Sequence, residues 1–309
     1  MEFFRNTNIN FMGAVRFTFI LSVLMILAGQ VSLLAHGGPH MSIDFTGGSM
    51  LQVKINPAPN VNEIRTHLEN AGFLGVQVQD FGAVDEFLIT SPNIQSGESE
   101  DIYTAEAMSN TLREVFPQAE VDMRREEAVG PKIGGELKTA AMNSVVAALI
   151  LIVLYITVRF VFRYGIAAII ALVHDVLITL GVFSILNKEI SLSIIAAFLT
   201  IIGYSLNDTI VVFDRIRENM RLRRKESYRE VINRSINETL SRTILTSLTT
   251  LFVAGSLYLF GGPVINDFAF ALCFGVIIGT YSSIFIASPV LVWWHERRIV
   301  DKKRAQPSL

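Results

Sequence analysis

Six runs of the chain are apolar for long enough to cross a bilayer as helices: residues 17–34, 139–158, 164–186, 190–213, 244–260 and 268–294. About 30 Å of hydrocarbon takes roughly 20 helical residues. Inside lipid only a helix or a closed barrel satisfies every backbone N–H and C=O, so runs of this length confine the fold to a helical bundle. The composition agrees, with 51% hydrophobic and 17% charged residues among 309. The first run follows Arg5 and Arg16 and has the basic start of a signal peptide. Its core is longer than an ordinary signal core, and His36, Gly37, Gly38 and Pro39 offer no A-x-A cleavage site, so an uncleaved anchor is expected.

The arginines orient the bundle. Arg5 and Arg16 flank the first run, and Arg159 and Arg163 lie between the second and third. Arg215, Arg217, Arg221, Arg223, Arg224, Lys225, Arg229 and Arg234 fill the stretch after the fourth, and Arg297, Arg298, Lys302, Lys303 and Arg304 follow the sixth. All of them fall on one side of a six-helix topology, while the short connections opposite hold Lys188. The positive-inside rule then puts both termini and the basic stretch in the cytoplasm, with Trp293 and Trp294 at the interface. The expected organisation is a cytoplasmic start and first helix over 1–35, an extracytoplasmic domain over 36–136, a five-helix bundle over 137–296 with a cytoplasmic loop at 214–241, and a basic tail over 297–309. Residues 213–219 are expected to extend the fourth helix as a mixed-charge amphipathic segment, on anionic lipid or on a partner.

The outer segment has the pattern of a compact α+β domain. An apolar strand at 49–55 precedes a helix opening at Asn60, where Asn60 and Glu63 have capping-box spacing and Ile64, Leu68 and Ala71 share a side. Strands are expected at 76–80 and 86–89, turning at Gly82. A second helix is expected to open at Gly97–Glu100 and to be stopped by Pro117, before a last strand at 120–129. The order β-α-β-β-α-β is that of a ferredoxin-like unit. The domain has no G-x-S-x-G and no metal-spaced histidine cluster; His36 and His40 read as solvated loop residues. The lone Cys273 lies in an apolar run and excludes an internal disulfide framework. No enzyme activity, cofactor or metal is expected, and contact with a partner or a passing substrate is the use such a domain suggests.

Ionisable groups within membrane spans are costly and each needs a reason. Asp208 lies about two-thirds along the fourth run, His174 and Asp175 near the middle of the third, and Arg242 at the cytoplasmic start of the fifth. A carboxyl balanced between desolvation, which favours the acid, and an arginine, which favours the anion, is able to take up and release a proton. By residue type and depth alone, Asp208 fits that role and a packing hydrogen bond equally. His174 and Asp175 read more readily as a structural pair than as part of a protease, since H-E-x-x-H is absent. Arg242 is either a positive-inside flank or the partner of Asp208. Gly275 and Gly279 form a G-x-x-x-G that allows close helix approach.

Several segments in order resemble the SecF subunit family of the bacterial Sec protein-export machinery. Ser42, Ile43, Asp44, Phe45, Thr46, Gly47 and Gly48 are similar to the family's G-I-D-F-x-G-G opening, with Ser42 in place of its first glycine. Val129, Gly130 and Pro131, followed by Gly134 and Gly135, resemble the family's join to the second span. Residues 203–219, which include Asn207 and Asp208, and residues 241–250, which include Arg242, resemble its fourth- and fifth-span signatures. The resemblance implies a six-helix half of an RND-type transporter with a ferredoxin-like outer domain in the bacterial inner membrane. It also implies a SecD partner, association with the SecYEG channel, SecA and YajC, and use of the proton motive force to assist preproteins. The family's proton-relay carboxylate falls on Asp208 and its arginine on Arg242, with His174, Asp175 and Asn207 as a further polar site. Membrane lipid is an expected partner and nucleic acid is not. The competing reading is half of an RND-type exporter of lipids or small molecules.

Overall fold

A computed structural model describes residues 7–73, 75–92, 105–159, 161–223 and 225–304, without the side chains of Pro131 and residues 298–304. Arg5, Arg224 and the helix opening expected at Gly97–Glu100 lie outside the described residues, as do the side chains of Arg298, Lys302, Lys303 and Arg304. The chain divides into two compact units, Met1–Pro39, Val145–Lys188 and Ser193–Leu309 in one, His40–Ser144 and Glu189–Leu192 in the other.

The smaller unit holds a four-stranded antiparallel sheet. After a single turn α2 (Ile43–Thr46) come β1 (Gly48–Asn56), α3 (Val61–Asn70), β2 (Gln77–Phe81), β3 (Ala83–Pro92), α4 (Ala105–Val115) and β4 (Glu120–Val129). The sheet order is β2-β3-β1-β4, each neighbouring pair antiparallel, which is the split βαβ arrangement of a ferredoxin-like unit. Period-2 alternation puts Leu51, Val53 and Ile55 of β1 on the covered side, packed with Phe87, Ile89, Ile64, Leu68, Met108 and Leu112. The helix at Asn60 forms, but Asn60 Oδ1 accepts from the Asn62 N–H rather than from that of Glu63. A box closed in both directions stands instead at Ser227 and Glu230. The edge strand β4 is mostly exposed and carries Asp122, Arg124, Arg125, Glu126 and Glu127, charges that oppose edge-to-edge pairing. Gly82 turns β2 into β3 at φ 82°, a backbone region that favours glycine.

The larger unit is helical. Six helices are long and apolar enough to cross a membrane: α1 (Phe11–Ala35), α5 (Pro131–Arg159), α6 (Phe162–Ile185), α7 (Leu192–Leu222), α8 (Tyr228–Phe260) and a last one built of α9 (Pro263–Ser282), a π-helical turn (Ser283–Ala287) and α10 (Ser288–Arg304). The apolar windows of α6, α7 and the last helix are about half covered by protein, whereas those of α1, α5 and α8 are mostly open. Their exposed residues, among them Phe19, Leu24, Leu151, Leu154, Phe252 and Val253, suit lipid or another membrane protein.

The basic connection at 214–241 is helical over most of its length: α7 continues through residues 213–219 to Leu222, and α8 starts at Tyr228. Its charges are partly met within the chain. Arg215 reaches Glu238 and Glu218, each at 2.6 Å, and Arg223 reaches Glu226 at 3.1 Å. Asn237 and Asn233 accept from the Ile9 and Met12 N–H groups, and Arg229 donates to the Met12 carbonyl at 2.6 Å, tying α8 to the start of α1. The Arg297 guanidinium stacks over Trp293 at 4.2 Å.

Candidate intramembrane proton site

The buried face of α7 carries Ser205 and Asp208, three residues apart and therefore on one side of the helix. Glycines on α9 bring that helix against this side. A Cβ on Gly275 would lie 2.3 Å from Ile201, and one on Gly279 would lie 3.0 Å from the Ser205 Cβ, so both members of the G-x-x-x-G face α7. Immediately beyond, the helix widens into its π turn. Pro289 has no N–H to return to the Phe285 carbonyl, so regular α-helical bonding cannot continue through this segment. The Ser288 hydroxyl donates instead to the Ser283 carbonyl at 2.9 Å. Such turns recur at functional sites.

Two consecutive serines at this junction serve two carboxylates. Ser282 Oγ donates to Asp175 Oδ2 at 2.8 Å, and Ser283 Oγ donates to Asp208 Oδ2 at 3.0 Å. Ser205 Oγ also donates to Asp175 Oδ2, at 2.5 Å. Asp175, only 1% exposed, meets His174 as well, with Nδ1 2.9 Å from Oδ1. From His174 a line of polar groups leads to α1: Nε2 lies 3.0 Å from Ser22 Oγ, which lies 2.9 Å from the Tyr281 hydroxyl, which donates to the Thr18 carbonyl at 2.7 Å.

Arg242 does not form an ion pair with Asp208. It stands exposed on α8, near enough for its charge to act on the carboxylate. Beside it, Thr243 Oγ1 is buried without a hydrogen bond of ordinary length. Asn207, next to Asp208 in sequence, points out of the bundle and is exposed. The structure thus brings His174 and Asp175 together, puts Asp208 next to Ser283, and leaves Asn207 apart. Ser22, Tyr281, Ser282 and Ser283 were not marked by sequence reasoning. The available signal was the Ser-Pro pair at 288–289 inside an apolar helix, which announces irregular backbone.

The Asp44 to Gly48 segment lies in the smaller unit and has a local structural role. Ser42 caps α2, its hydroxyl accepting from the Asp44 N–H at 3.3 Å, which gives the serine at this position a use. Gly47 ends the turn at φ 72° and Gly48 follows at φ 138°, both strained for any side chain. Asp44 Oδ2 accepts from the N–H of Leu192, the first residue of α7, at 2.9 Å. Around it, Ile190 donates to the His40 carbonyl at 2.7 Å and accepts from the Ser42 N–H at 3.0 Å. Phe45 and Gly47 also lie against Gly134, where a Cβ would come within 3.0 Å of the Gly47 nitrogen. The two glycine-bearing segments therefore pack on each other, with Gly130 accepting from the Gly134 N–H at the start of α5. His36 Nδ1 meets the Ser32 carbonyl and His40 Nε2 meets Gln77.

Comparisons with known proteins agree with this arrangement. The family model for the protein export membrane protein SecD/SecF, C-terminal, matches residues 107–297, and the SecD/SecF GG motif matches 32–59. The protein translocase subunit SecF of Desulfurispirillum indicum is 47% identical over 91% of each chain. That of Calditerrivibrio nitroreducens is 44% identical over 93% of this chain and 95% of its own. The crystal structure of SecDF, a translocon-associated membrane protein from Thermus thermophilus, superposes with a TM-score of 0.83 at 40% identity over 94% of this chain. The chain spans only 39% of that longer protein.

Proposed function

The chain belongs to the SecF family of protein translocase subunits, and from that premise we propose that it works with a SecD subunit to drive preprotein export with the proton motive force. The six helices and outer domain stand for one half of a larger transporter, consistent with the share of the SecDF chain that they match. The SecYEG channel, SecA and YajC are the remaining partners of this reading. The role is transport without covalent chemistry. The exporter alternative is not favoured, because the relatives carry the translocase name over nearly their whole length.

In this reading the basic ends of the helices and both termini face the cytoplasm, and residues 36–136 face outward. The excess of arginine on one side of the topology supports it.

The observation that carries the proton relay is the buried Asp208, which accepts from the Ser283 hydroxyl at 3.0 Å. A proton on Asp208 removes a charge that the membrane interior disfavours. Loss of the proton leaves an anion for which Arg242, close but unbonded, is the countercharge. Forming that pair draws α8 toward α7, and uptake of a proton releases it. Each proton that crosses supplies about 2.3 kcal/mol per 100 mV of membrane potential.

The test uses vesicles that contain the complex with SecD and the translocon. Asp208→Asn is expected to assemble normally and to lose the part of preprotein translocation that responds to the proton gradient. A gradient-responsive rate equal to that of the wild type sinks the relay.

A further inference from the structure

We propose that His174 and Asp175 hold one proton between them and form a second proton-binding site in the bundle, separate from Asp208. The argument starts at the far end of the polar line, where the acceptor is fixed. The Thr18 carbonyl only accepts, so the Tyr281 O–H is committed to it at 2.7 Å. The Tyr281 oxygen lies 2.9 Å from Ser22 Oγ, a distance at which two lone pairs would repel, so the Ser22 O–H points to Tyr281. Ser22 Oγ, its proton used, must accept from His174 Nε2 at 3.0 Å, and Nε2 therefore carries a hydrogen.

The remaining contact decides the proton count. His174 Nδ1 lies 2.9 Å from Asp175 Oδ1. A bare Nδ1 facing an ionised oxygen would again oppose two lone pairs, so a proton lies on this line. It sits either on Nδ1, giving an imidazolium beside a carboxylate, or on Oδ1, giving a neutral imidazole beside a carboxylic acid. In both forms the pair holds one proton more than an ionised aspartate beside a neutral histidine, and its net charge is zero. The other carboxylate oxygen, Oδ2, meets the Ser205 and Ser282 hydroxyls.

The surroundings give the proton its purpose. The groups that face the pair are Ser22 and the Thr18 carbonyl of α1, Ser205 of α7 with Asp208 one turn further on, and Tyr281 and Ser282 of α9. Tyr281 also stacks on the His174 ring, with centroids 5.9 Å apart. Among the described hydrogen bonds and ion pairs, no arginine or lysine reaches Asp175, so the proton takes the place of a cation. Release leaves an ionised Asp175 beside neutral His174, a net negative charge in the bundle interior, and uptake restores neutrality. Ser205 and Ser282 connect this change to Asp208, since they lie beside it on α7 and beside its own partner Ser283.

The test reads the imidazole directly and does not depend on whether Asp208 works as a relay. The chain has five histidines, so labelling this chain alone with 15N-histidine and assembling it with unlabelled partner subunits gives a tractable spectrum. A variant with His36, His40, His67 and His295 replaced by Gln leaves His174 as the single signal, and its agreement with the wild-type signal checks that the bundle is unchanged. We expect Nε2 protonated across neutral pH, with Nδ1 either protonated or shifted by a strong hydrogen bond from an acid. A bare Nε2 would overturn the proposal. So would a protonated Nε2 beside an Nδ1 with no hydrogen-bonded proton.

Discussion

Ser283 Oγ lies 3.0 Å from Asp208 Oδ2, and this hydroxyl, not the Arg242 guanidinium, is what the carboxylate meets directly. The serine sits on the first residue of a π turn, one position after Ser282, which holds Asp175. The last helix thus touches both buried carboxylates where it enters this irregular turn. Any rearrangement of that turn alters both of them together.

Ser283→Ala removes this donor with little change of volume. A hydrogen bond to a charged group is worth about 1.5–3 kcal/mol, so the gradient-driven translocation rate is expected to fall about tenfold or more while co-purification with SecD is kept. Ser283→Thr restores a hydroxyl and should recover much of the rate. Translocation assays on the two variants side by side check this.

Gly29 and Gly181 fix the crossing of α1 and α6. A Cβ on Gly29 would lie 2.6 Å from the Gly181 Cα, which is backbone and cannot rotate aside. Gly29→Leu should therefore push α1 away and destabilise the bundle by about 1–3 kcal/mol, the usual cost of overpacking. Thermal unfolding in detergent should show a lower midpoint, and an unchanged midpoint would mean that the helices do not cross there.

Asp44 caps the first N–H of α7 from outside the helix. Asp44→Ala should cost about 1 kcal/mol, as lost caps do, and should speed hydrogen exchange at the amide of Leu192. Asp44→Asn keeps an acceptor oxygen and should protect most of that amide. Equal exchange in all three proteins would remove the capping role.

Leu112 is fully buried between α4 and the sheet. Leu112→Ala should destabilise the outer domain by about 2–5 kcal/mol. Limited proteolysis should then cut within residues 40–129 before it cuts the helices.

The helices were readable in the sequence because lipid imposes length and apolarity with little tolerance, as the run at 164–186 and α6 illustrate. The outer domain was readable for a different reason. Leu51, Val53 and Ile55 alternate in a way that only a half-covered strand requires, and β4 falls at Glu120–Val129 as its pattern indicates. The connection at 214–241 is helical beyond residue 219 as well, where Glu238 and Glu226 pair with its arginines, pairings that charge density alone does not reveal. In the site, Asp175 and Asp208 stand out by the cost of burying them. Ser22, Tyr281 and Ser283 do not, since hydroxyls are common in membrane helices and their partners lie far away in sequence. Electrostatics points from Asp208 to charges first, and the Ser283 hydroxyl that meets it lies on a distorted turn far away in sequence.

Arg242→Lys tests the countercharge. Lysine keeps the charge but lacks the planar fork that binds a carboxylate through two donors. Assembly should be unaffected, and the gradient-driven rate should fall without vanishing, to a level between wild type and Arg242→Ala. A wild-type rate in Arg242→Ala would show that Asp208 finds its countercharge elsewhere.

The central claim is tested most directly by imposing a proton gradient on vesicles that contain the complete complex and timing preprotein export with wild-type and Asp208→Asn protein. The account predicts that the gradient accelerates export by the wild type, and that the variant, assembled to the same level, exports at a rate the gradient leaves unchanged. Acceleration of the variant to the wild-type rate would contradict it.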